Sequence, residues 1–597
     1  MNGYKRNRPG ENLRPYDVHY IENPSQEELR EIALKHTPAI YKTAYDNLNK
    51  ICRNKARMAK YTYVIAPESD SSLYSHNVID AQGAKRLLDL QKEFIEKSGE
   101  IIMIDGYYGL EPGYAVPLQL LYTREIANVA GMQQVLTFPR SMVETKDELK
   151  QPFQPLFRLV MTPGLVASDM PGEQAIIVDL ENWTTHVIRA DYFGESKKAI
   201  LRMLNEYVYQ KGGLVLHAGA KVVTIGERRV TMGIMGLSGT GKTTTTFSKQ
   251  GELTQPAQDD MICVWPNGKV TVTENGCFAK TYGLTAESEP TIYAGTIDPS
   301  AWVENVYANP DGTFDFFKER LTPEEVKRLR EILIETGAPA ENVDAYIRGK
   351  VDIDEVVDEY NIPQDGWDFC VWTQNGRSIM PMRIIKNAAD LGNIPPMEYM
   401  GILNRDEGKD AATPGIIRFT SPEQAAGYFM LGETSKTSAA GKERGKTRSP
   451  FTQPFFPRSY GLQAERFSEL VKVLPDLEVW LMNTGYVGGD AKDEKKGEAL
   501  KVKIRHSSAM LEAMLSERIS WKRDPDFGYE IPDTDAPENR ELMDKVPKEI
   551  LNPKLFYEQK GRLTEYAQWV KKMKDERKRF LEKYQVNPQI IKEVVGQ

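Results

Sequence analysis

Residues 233–247, GIMGLSGTGKTTTTF, constrain this chain more than any other stretch. They fit G-x-x-x-x-G-K-[ST], with Gly236, Gly241, Lys242 and Thr243 at the fixed positions. In such a loop the backbone N–H groups of Gly236, Leu237, Ser238, Gly239, Thr240 and Gly241 curl around phosphate oxygens, which bulky side chains would obstruct. Lys242 then reaches the terminal phosphates, and the Thr243 hydroxyl, followed by Thr244, is placed for Mg²⁺. The loop needs a strand before it and a helix after it. VTMGIM (230–235) is the apolar run that a strand requires, and TTTTFSKQ can open a helix whose N-terminus favours an anion.

A chain of 597 residues exceeds one hydrophobic core, so several domains or lobes are expected. A net charge of −8 leaves no basic surplus for general nucleic-acid binding. No stretch approaches the roughly 18 apolar residues of a membrane span. The first residues, MNGYKRNRPGENLRP, lack the apolar centre of a secretory signal. Four cysteines, Cys52, Cys263, Cys277 and Cys370, are scattered without C-x-x-C spacing, which suits a reducing compartment.

The surrounding pattern is α/β. EIIMIDGYYG (100–109), QAIIVDL (174–180) and GGLVLHAG (212–219) read as buried strands. KKAILRMLNEYVYQKGG carries apolar residues at helical spacing and ends in glycine. DMICVWPNGKVTVTE (260–274) reads as a hairpin turning at Pro-Asn-Gly. TPEEVKRLREILIETG (322–337) predicts a helix capped by Thr322, boxed by Glu325, striped by Val326, Leu329 and Leu333, and stopped by Gly337. IDEVVDEYNIP (353–363) predicts a further short helix, and the tail 563–584 a packed outer helix striped by Leu563, Tyr566, Val570 and Met573. KERGKTRSP (442–450) reads as a mobile basic loop.

Three clusters of titratable residues flank the P-loop. DYFGESKKA (191–199) sets Tyr192, Lys197 and Lys198 ahead of a helix, as a solvated face or a site. LVLHAGA (214–220) ends a strand on His217, a core histidine or a ligand. QPAQDDMICVW (255–265) brings Asp259 and Asp260 into a strand 18 residues after Lys242, where a carboxylate suits the metal of a phosphate site.

Taken together these motifs resemble the ATP-dependent phosphoenolpyruvate carboxykinase family. GLSGTGKTT (236–244) is that family's loop unchanged, and YFGESKK (192–198) resembles its Tyr-x-Gly-Glu-x-Lys-Lys. His217 and the pair Asp259–Asp260 fall where the family has its metal-binding histidine and aspartates. ARMAKYTYVI (56–65), GRSIMPM (376–382), VENV (303–306) and VWLMNTGYVGG (479–489) follow in the family's order.

The resemblance implies a two-lobed α/β fold with a P-loop mononucleotide-binding C-terminal lobe. It places a substrate-binding lobe at 1–213 and the nucleotide-binding lobe at 214–597. It further suggests an inserted helical segment at about 318–365 and a lid at about 434–450. The reaction implied is oxaloacetate + ATP ⇌ phosphoenolpyruvate + CO₂ + ADP. Lys198, His217 and Asp260 are the implied Mn²⁺ ligands, and Thr243 the implied Mg²⁺ ligand. Arg57 and Tyr192 are expected at the oxaloacetate, with Lys197 and Asp259 supporting the same chemistry. Lys242 and Arg377 are expected to neutralise the transferring phosphoryl group. Glu304, Lys501 and Ser507 are expected at the nucleotide. The implied protein is a cytoplasmic monomer acting on small molecules, without nucleic acid or membrane partners.

Several positions depart from the family pattern. Gln258-Asp259-Asp260-Met261-Ile262 stands where the family has Gly-Asp-Asp-Glu-His, and LHAGA where it has Met-His-Cys-Ser-Ala. Lys501 and Ser507 replace an arginine and a threonine. The alternative readings are a P-loop phosphotransferase with another acceptor, or a nucleotide-binding regulator that meets a partner through its insert.

Overall fold

The structure, a computed structural model, describes residues 13–53, 59–236, 241–242, 245–246, 253–318, 321–341, 343–344, 375–436, 445–452 and 455–596. The chain is mixed α/β and divides into two compact units. The first comprises Met1–Tyr207, Thr271–Ala388 and Pro454–Arg458; the second comprises Val208–Val270, Ala389–Gln453 and Ser459–Gln597.

This division departs from the single boundary at 213/214 read from the sequence. The cause is long-range strand pairing. Trp302–Glu304 pairs in parallel with Leu48–Lys50, and Gly276–Lys280 and Arg377–Pro381 pair onto the same five-stranded sheet. Residues after 270 are therefore drawn back to the N-terminal unit.

The larger sheet of the first unit has nine strands, with Glu100–Tyr108 between His19–Glu22 and Val116–Tyr122. Ile101, Ile102, Met103 and Ile104 are all buried, so both faces of this strand are covered, as its unbroken apolar run requires. Ala175–Asp179 and Thr184–Ile188 form an antiparallel pair in the same sheet. Helix α1 (Phe193–Gln210) follows, and the chain leaves it through a glycine turn with Gly212 at φ 84°.

Helix α2 (Pro323–Glu335) forms as its caps predict. The Glu325 N–H donates to Thr322 Oγ1 at 3.3 Å, and Glu325 Oε2 accepts from the Thr322 N–H at 2.6 Å. Leu329 and Leu333 are its buried residues, and Gly337 ends it at φ 86°. The helix predicted at 353–363 lies outside the described residues.

The second unit is built on an eight-stranded sheet. At its centre β1 (Arg228–Gly236), β2 (Met397–Asn404) and β3 (Glu478–Asn483) run parallel, with Gly236 opposite Leu403. Gly236 thus stands at the C-terminal end of a parallel strand, where α/β sheets place ligands. Ala218–Ile225 pairs antiparallel with β1 on its other side. Leu214–Leu216 pairs with Ile262–Val264, which hairpins to Val270–Val272 around Gly268.

The outer helix of the tail is α3 (Leu563–Lys583). Its buried face is Tyr566, Trp569, Met573, Arg577 and Leu581, whereas Leu563 is exposed. The predicted stripe holds at Tyr566 and Met573, while Val570 is only half-buried and Trp569 takes its place on the buried face. The flanks of the expected lid pair as a hairpin, Glu433–Lys436 with Gly445–Arg448. Arg448 and Arg577 both donate to the Glu433 carboxylate at 2.7 Å, tying this stem to α3. Burial, which would raise the Glu433 pKa, is outweighed by Arg577 and Arg448, which hold it at about 2. Residues 437–444 of the lid lie outside the described residues. Among the described residues, no helix is long and apolar enough to cross a membrane.

Candidate active site

The second unit gathers three of the predicted site residues. His217 follows the short strand Leu214–Leu216, and Asp260 follows the strand Thr254–Gln258. His217 Nε2 stands 2.9 Å from Asp260 Oδ1, and Lys242 Nζ stands 3.6 Å from the same oxygen. His217 Nδ1 is 2.8 Å from the carbonyl oxygen of Phe451. A carbonyl only accepts, so Nδ1 carries the proton and Nε2 presents its lone pair when the ring is neutral. Phe451 was not anticipated; a backbone carbonyl leaves no trace in the pattern of side chains.

The Gln258 Oε1 atom accepts from the N–H groups of Asp259 at 2.8 Å and Asp260 at 3.4 Å. The glutamine that departs from the family pattern therefore folds the turn that presents the aspartates. Met261 is fully buried, so this departure sits in the hydrophobic interior. Asp259 is also buried, at 5% exposure.

Around the P-loop, Gly241 takes φ 91°, a left-handed conformation open to glycine. Its carbonyl accepts from the Thr245 N–H at 2.8 Å. Lys221 donates to the Thr245 carbonyl at 3.0 Å. Burial lowers the Lys221 amine to about 8. Gly219 passes so close beneath that an added Cβ would lie 2.6 Å from Thr246 Oγ1. Leu237, Ser238, Gly239, Thr240, Thr243 and Thr244 lie outside the described residues.

Lys501 and Ser507 occupy another part of the second unit. The Lys501 amine stacks 4.1 Å above the Tyr486 ring, directly across a two-strand pair. Partial burial lowers its pKa, helped by Arg405 and opposed by Glu407 and Glu494. Ser507 lies in the first turn of helix Ile504–Leu515 and is half-buried.

The first unit carries Tyr192, Lys197, Lys198, Glu304 and Arg377. Tyr192 is 2% exposed, in an apolar cluster with Cys52, Tyr307 and Leu333. Its ring lies over Gly194, where any Cβ would overlap it. Lys197 is fully buried, with Nζ 2.8 Å from Glu274 Oε2. Glu274 Oε1 accepts from the Tyr108 hydroxyl at 3.1 Å, and Gln133 donates to that hydroxyl at 3.0 Å. The network continues through Ser196, which donates to Gln133 at 2.9 Å.

Lys197 and Arg377 share one aromatic ring. Their cationic groups lie 5.1 and 5.5 Å from the centroid of Phe278. Lys198 Nζ sits 4.3 Å from the centroid of Phe455. Neither phenylalanine was singled out from the sequence, since an aromatic beside a lysine motif carries no signal until the fold joins them. Glu304 is wholly buried and accepts from the Phe193 N–H at 3.1 Å, at the start of α1. Burial pushes its pKa up to about 8, against the hydrogen bond from Phe193. Arg57 lies outside the described residues.

The nitrogen and oxygen donors at His217 and Asp260 suit a divalent metal. Their 2.9 Å separation is that of adjacent ligands on an octahedral ion with bonds of about 2.1 Å. Among the described residues, no third His, Cys, Asp or Glu joins them as a metal group. A P-loop lysine beside a histidine–aspartate pair has the chemistry of metal-assisted phosphotransfer.

Comparison with known proteins agrees. The family model described as phosphoenolpyruvate carboxykinase matches residues 18–329 and 355–539. The chain is similar to phosphoenolpyruvate carboxykinase (ATP) of Thermus thermophilus, at 26% identity over 76% of this chain and 74% of that protein. It is 26% identical to the protein of that name from Geobacillus kaustophilus, over 80% of this chain and 78% of the relative. With the one from Afipia carboxidovorans it shares 30% identity over 66% of this chain and 59% of that protein. The chain belongs to the phosphoenolpyruvate carboxykinase family, as an enzyme of the ATP-dependent kind.

Proposed function

We propose that the chain catalyses the reversible, ATP-dependent conversion of oxaloacetate to phosphoenolpyruvate, CO₂ and ADP. The observation that carries this reading is the convergence of His217, Asp260 and the P-loop Lys242, within a chain whose family match spans both units.

In this reading the second unit is the core of the P-loop mononucleotide-binding lobe. The loop from Gly236 to Thr244 cradles the phosphates by its N–H groups, and Lys242 neutralises the β- and γ-phosphates. Thr243 is the Mg²⁺ ligand. Lys198, His217 and Asp260 are the residues that would hold Mn²⁺, with Lys198 as a neutral amine. Divalent metal held by these residues would supply Lewis-acid chemistry to the keto and phosphate oxygens.

The protein groups have separable tasks. The Phe451 carbonyl fixes the His217 tautomer, so that Nε2 is available as a ligand. Asp259 supports Asp260 from the turn held by Gln258. Arg377 neutralises charge on the transferring group, and Arg57 holds a substrate carboxylate in a bidentate fork. Tyr192 borders the substrate, and Lys197 braces its pocket through Glu274. Lys501 and Ser507 meet the nucleotide base, and Glu304 acts behind the nucleotide by capping α1. The lid at 434–450 excludes water and protects the enolate from protonation. We place the enzyme in the cytoplasm, as a monomer acting on small molecules.

The test is phosphoenolpyruvate formation from oxaloacetate with Mn²⁺, comparing ATP, GTP and pyrophosphate. Turnover with ATP supports the reading; ATP binding without turnover by any donor overturns it.

A further inference from the structure

The two stretches that match the family leave residues 330–354 between them, and the described part of that segment is built into the first unit. The second half of α2 and the turn after it lie in this interval. Leu333 is fully buried, and Ala338 and Val343 are buried beside it, in one apolar cluster with Tyr192, Ile51 and Cys52. A polar joint runs parallel to this packing. Arg53 is 4% exposed and donates from Nη1 to the Thr336 carbonyl at 2.9 Å, at the C-terminal cap of α2. Its Nη2 donates to the Arg189 carbonyl, and its backbone N–H donates to Asp191 Oδ2 at 2.8 Å. Glu335 accepts from the Ala39 N–H at 2.6 Å, fastening the same helix end to a third segment.

Arg189 and Asp191 immediately precede Tyr192 and the start of α1. One guanidinium thus spans the cap of α2 and the backbone leading into Tyr192, while Leu333 packs in the cluster that holds the Tyr192 ring. A surface insertion would leave the apolar stripe of α2 facing solvent. Here that stripe is spent on the segment that carries a substrate-side tyrosine.

We propose that Leu333 and Arg53 are positioning residues for the oxaloacetate half of the site: residues 330–341 and Val343 clamp residues 189–192 through one apolar and one hydrogen-bonded joint. The inference rests on the reading that Tyr192 borders the substrate. It assigns the interval between the matched stretches to substrate binding and leaves the P-loop untouched.

The experiment compares Leu333→Ala, Leu333→Met and Arg53→Lys with Ile95→Ala, a control at a fully buried position in a separate apolar cluster of the same unit. KM for oxaloacetate, KM for ATP, thermal midpoint and the affinity for oxalate with Mn²⁺ by calorimetry are measured. Arg53→Lys keeps the charge but cannot bridge two carbonyls in one plane. Leu333→Ala and Arg53→Lys are expected to raise KM for oxaloacetate and Kd for oxalate about fivefold to tenfold, with KM for ATP within about twofold. Leu333→Met should keep both near the wild-type values, and Ile95→Ala should lower only the thermal midpoint. Unchanged oxalate affinity in the folded variants, or equal shifts in both KM values, would overturn the proposal. If Leu333→Ala does not fold, Arg53→Lys carries the decision. If the wild type forms no phosphoenolpyruvate, the assigned reaction fails, while oxalate affinity still decides the positioning role.

Discussion

His217 Nε2 and Asp260 Oδ1 stand 2.9 Å apart, with the histidine's other nitrogen committed to the Phe451 carbonyl. With the ring neutral, two lone pairs face each other, which is unfavourable unless a proton or a cation lies at the site. His217→Ala is therefore expected to lower kcat/KM by about 10²–10³. It should also weaken Mn²⁺ binding in a direct titration. Full activity with unchanged Mn²⁺ affinity would remove His217 and Asp260 from the reaction.

Lys197 and Glu274 form an ion pair with no solvent exposure, and the Tyr108 hydroxyl also donates to the carboxylate. Lys197→Met strands a buried carboxylate and should destabilise by about 3–5 kcal/mol in urea unfolding. Adding Glu274→Leu should recover most of that loss, because an apolar pair no longer leaves a charge behind. A single variant as stable as the wild type would contradict this account of the network.

The contrast between these two sites reflects what a sequence can carry. Helix α2 was legible to its caps, because Thr322, Glu325 and Gly337 act on neighbours three or four residues away. The strand before the P-loop and the hairpin at Gly268 were legible for the same local reason. His217, Lys242 and Asp260 each sit in a recognisable motif. Their meeting, however, depends on strand pairing that no local pattern records. The return of Thr271–Ala388 to the first unit rests on Trp302 pairing with Leu48 across most of the N-terminal half. The rings beneath Lys197, Arg377 and Lys198 were equally unreadable, because Phe278 and Phe455 acquire their role only by packing. The stripe on α2 predicted a buried face without saying against what.

Glu304 titrates near 8 because it is wholly buried, with Asp191 adding to the rise and Lys50, Cys52 and the Phe193 N–H opposing it. A carboxyl with a raised folded pKa binds its proton more tightly in the native state than in the unfolded one. Stability from this group is thus present at low pH and is lost as pH climbs from about 4.5 to about 8. Glu304→Gln cannot titrate, so its unfolding free energy should overtake the wild type's across that window, by about 4 kcal/mol at its upper end. Parallel stability curves for the two proteins would show that Glu304 does not ionise there.

Gly219 replaces the serine of the family pattern directly beneath the P-loop turn, where a Cβ would stand 2.6 Å from Thr246 Oγ1 and 2.9 Å from Thr246 Cβ. Thr246 is fully buried and cannot swing into solvent, so the added atom must push the turn that presents Lys242. Overpacking of this kind costs about 1–3 kcal/mol. The strain falls on the nucleotide side, so Gly219→Ala should raise KM for ATP about fivefold to tenfold and leave KM for oxaloacetate nearly unchanged. Thr246→Ala removes the two nearest contacts and, combined with Gly219→Ala, should return KM for ATP most of the way. If the double variant binds ATP no better than Gly219→Ala alone, the two residues are not coupled and the glycine has another cause.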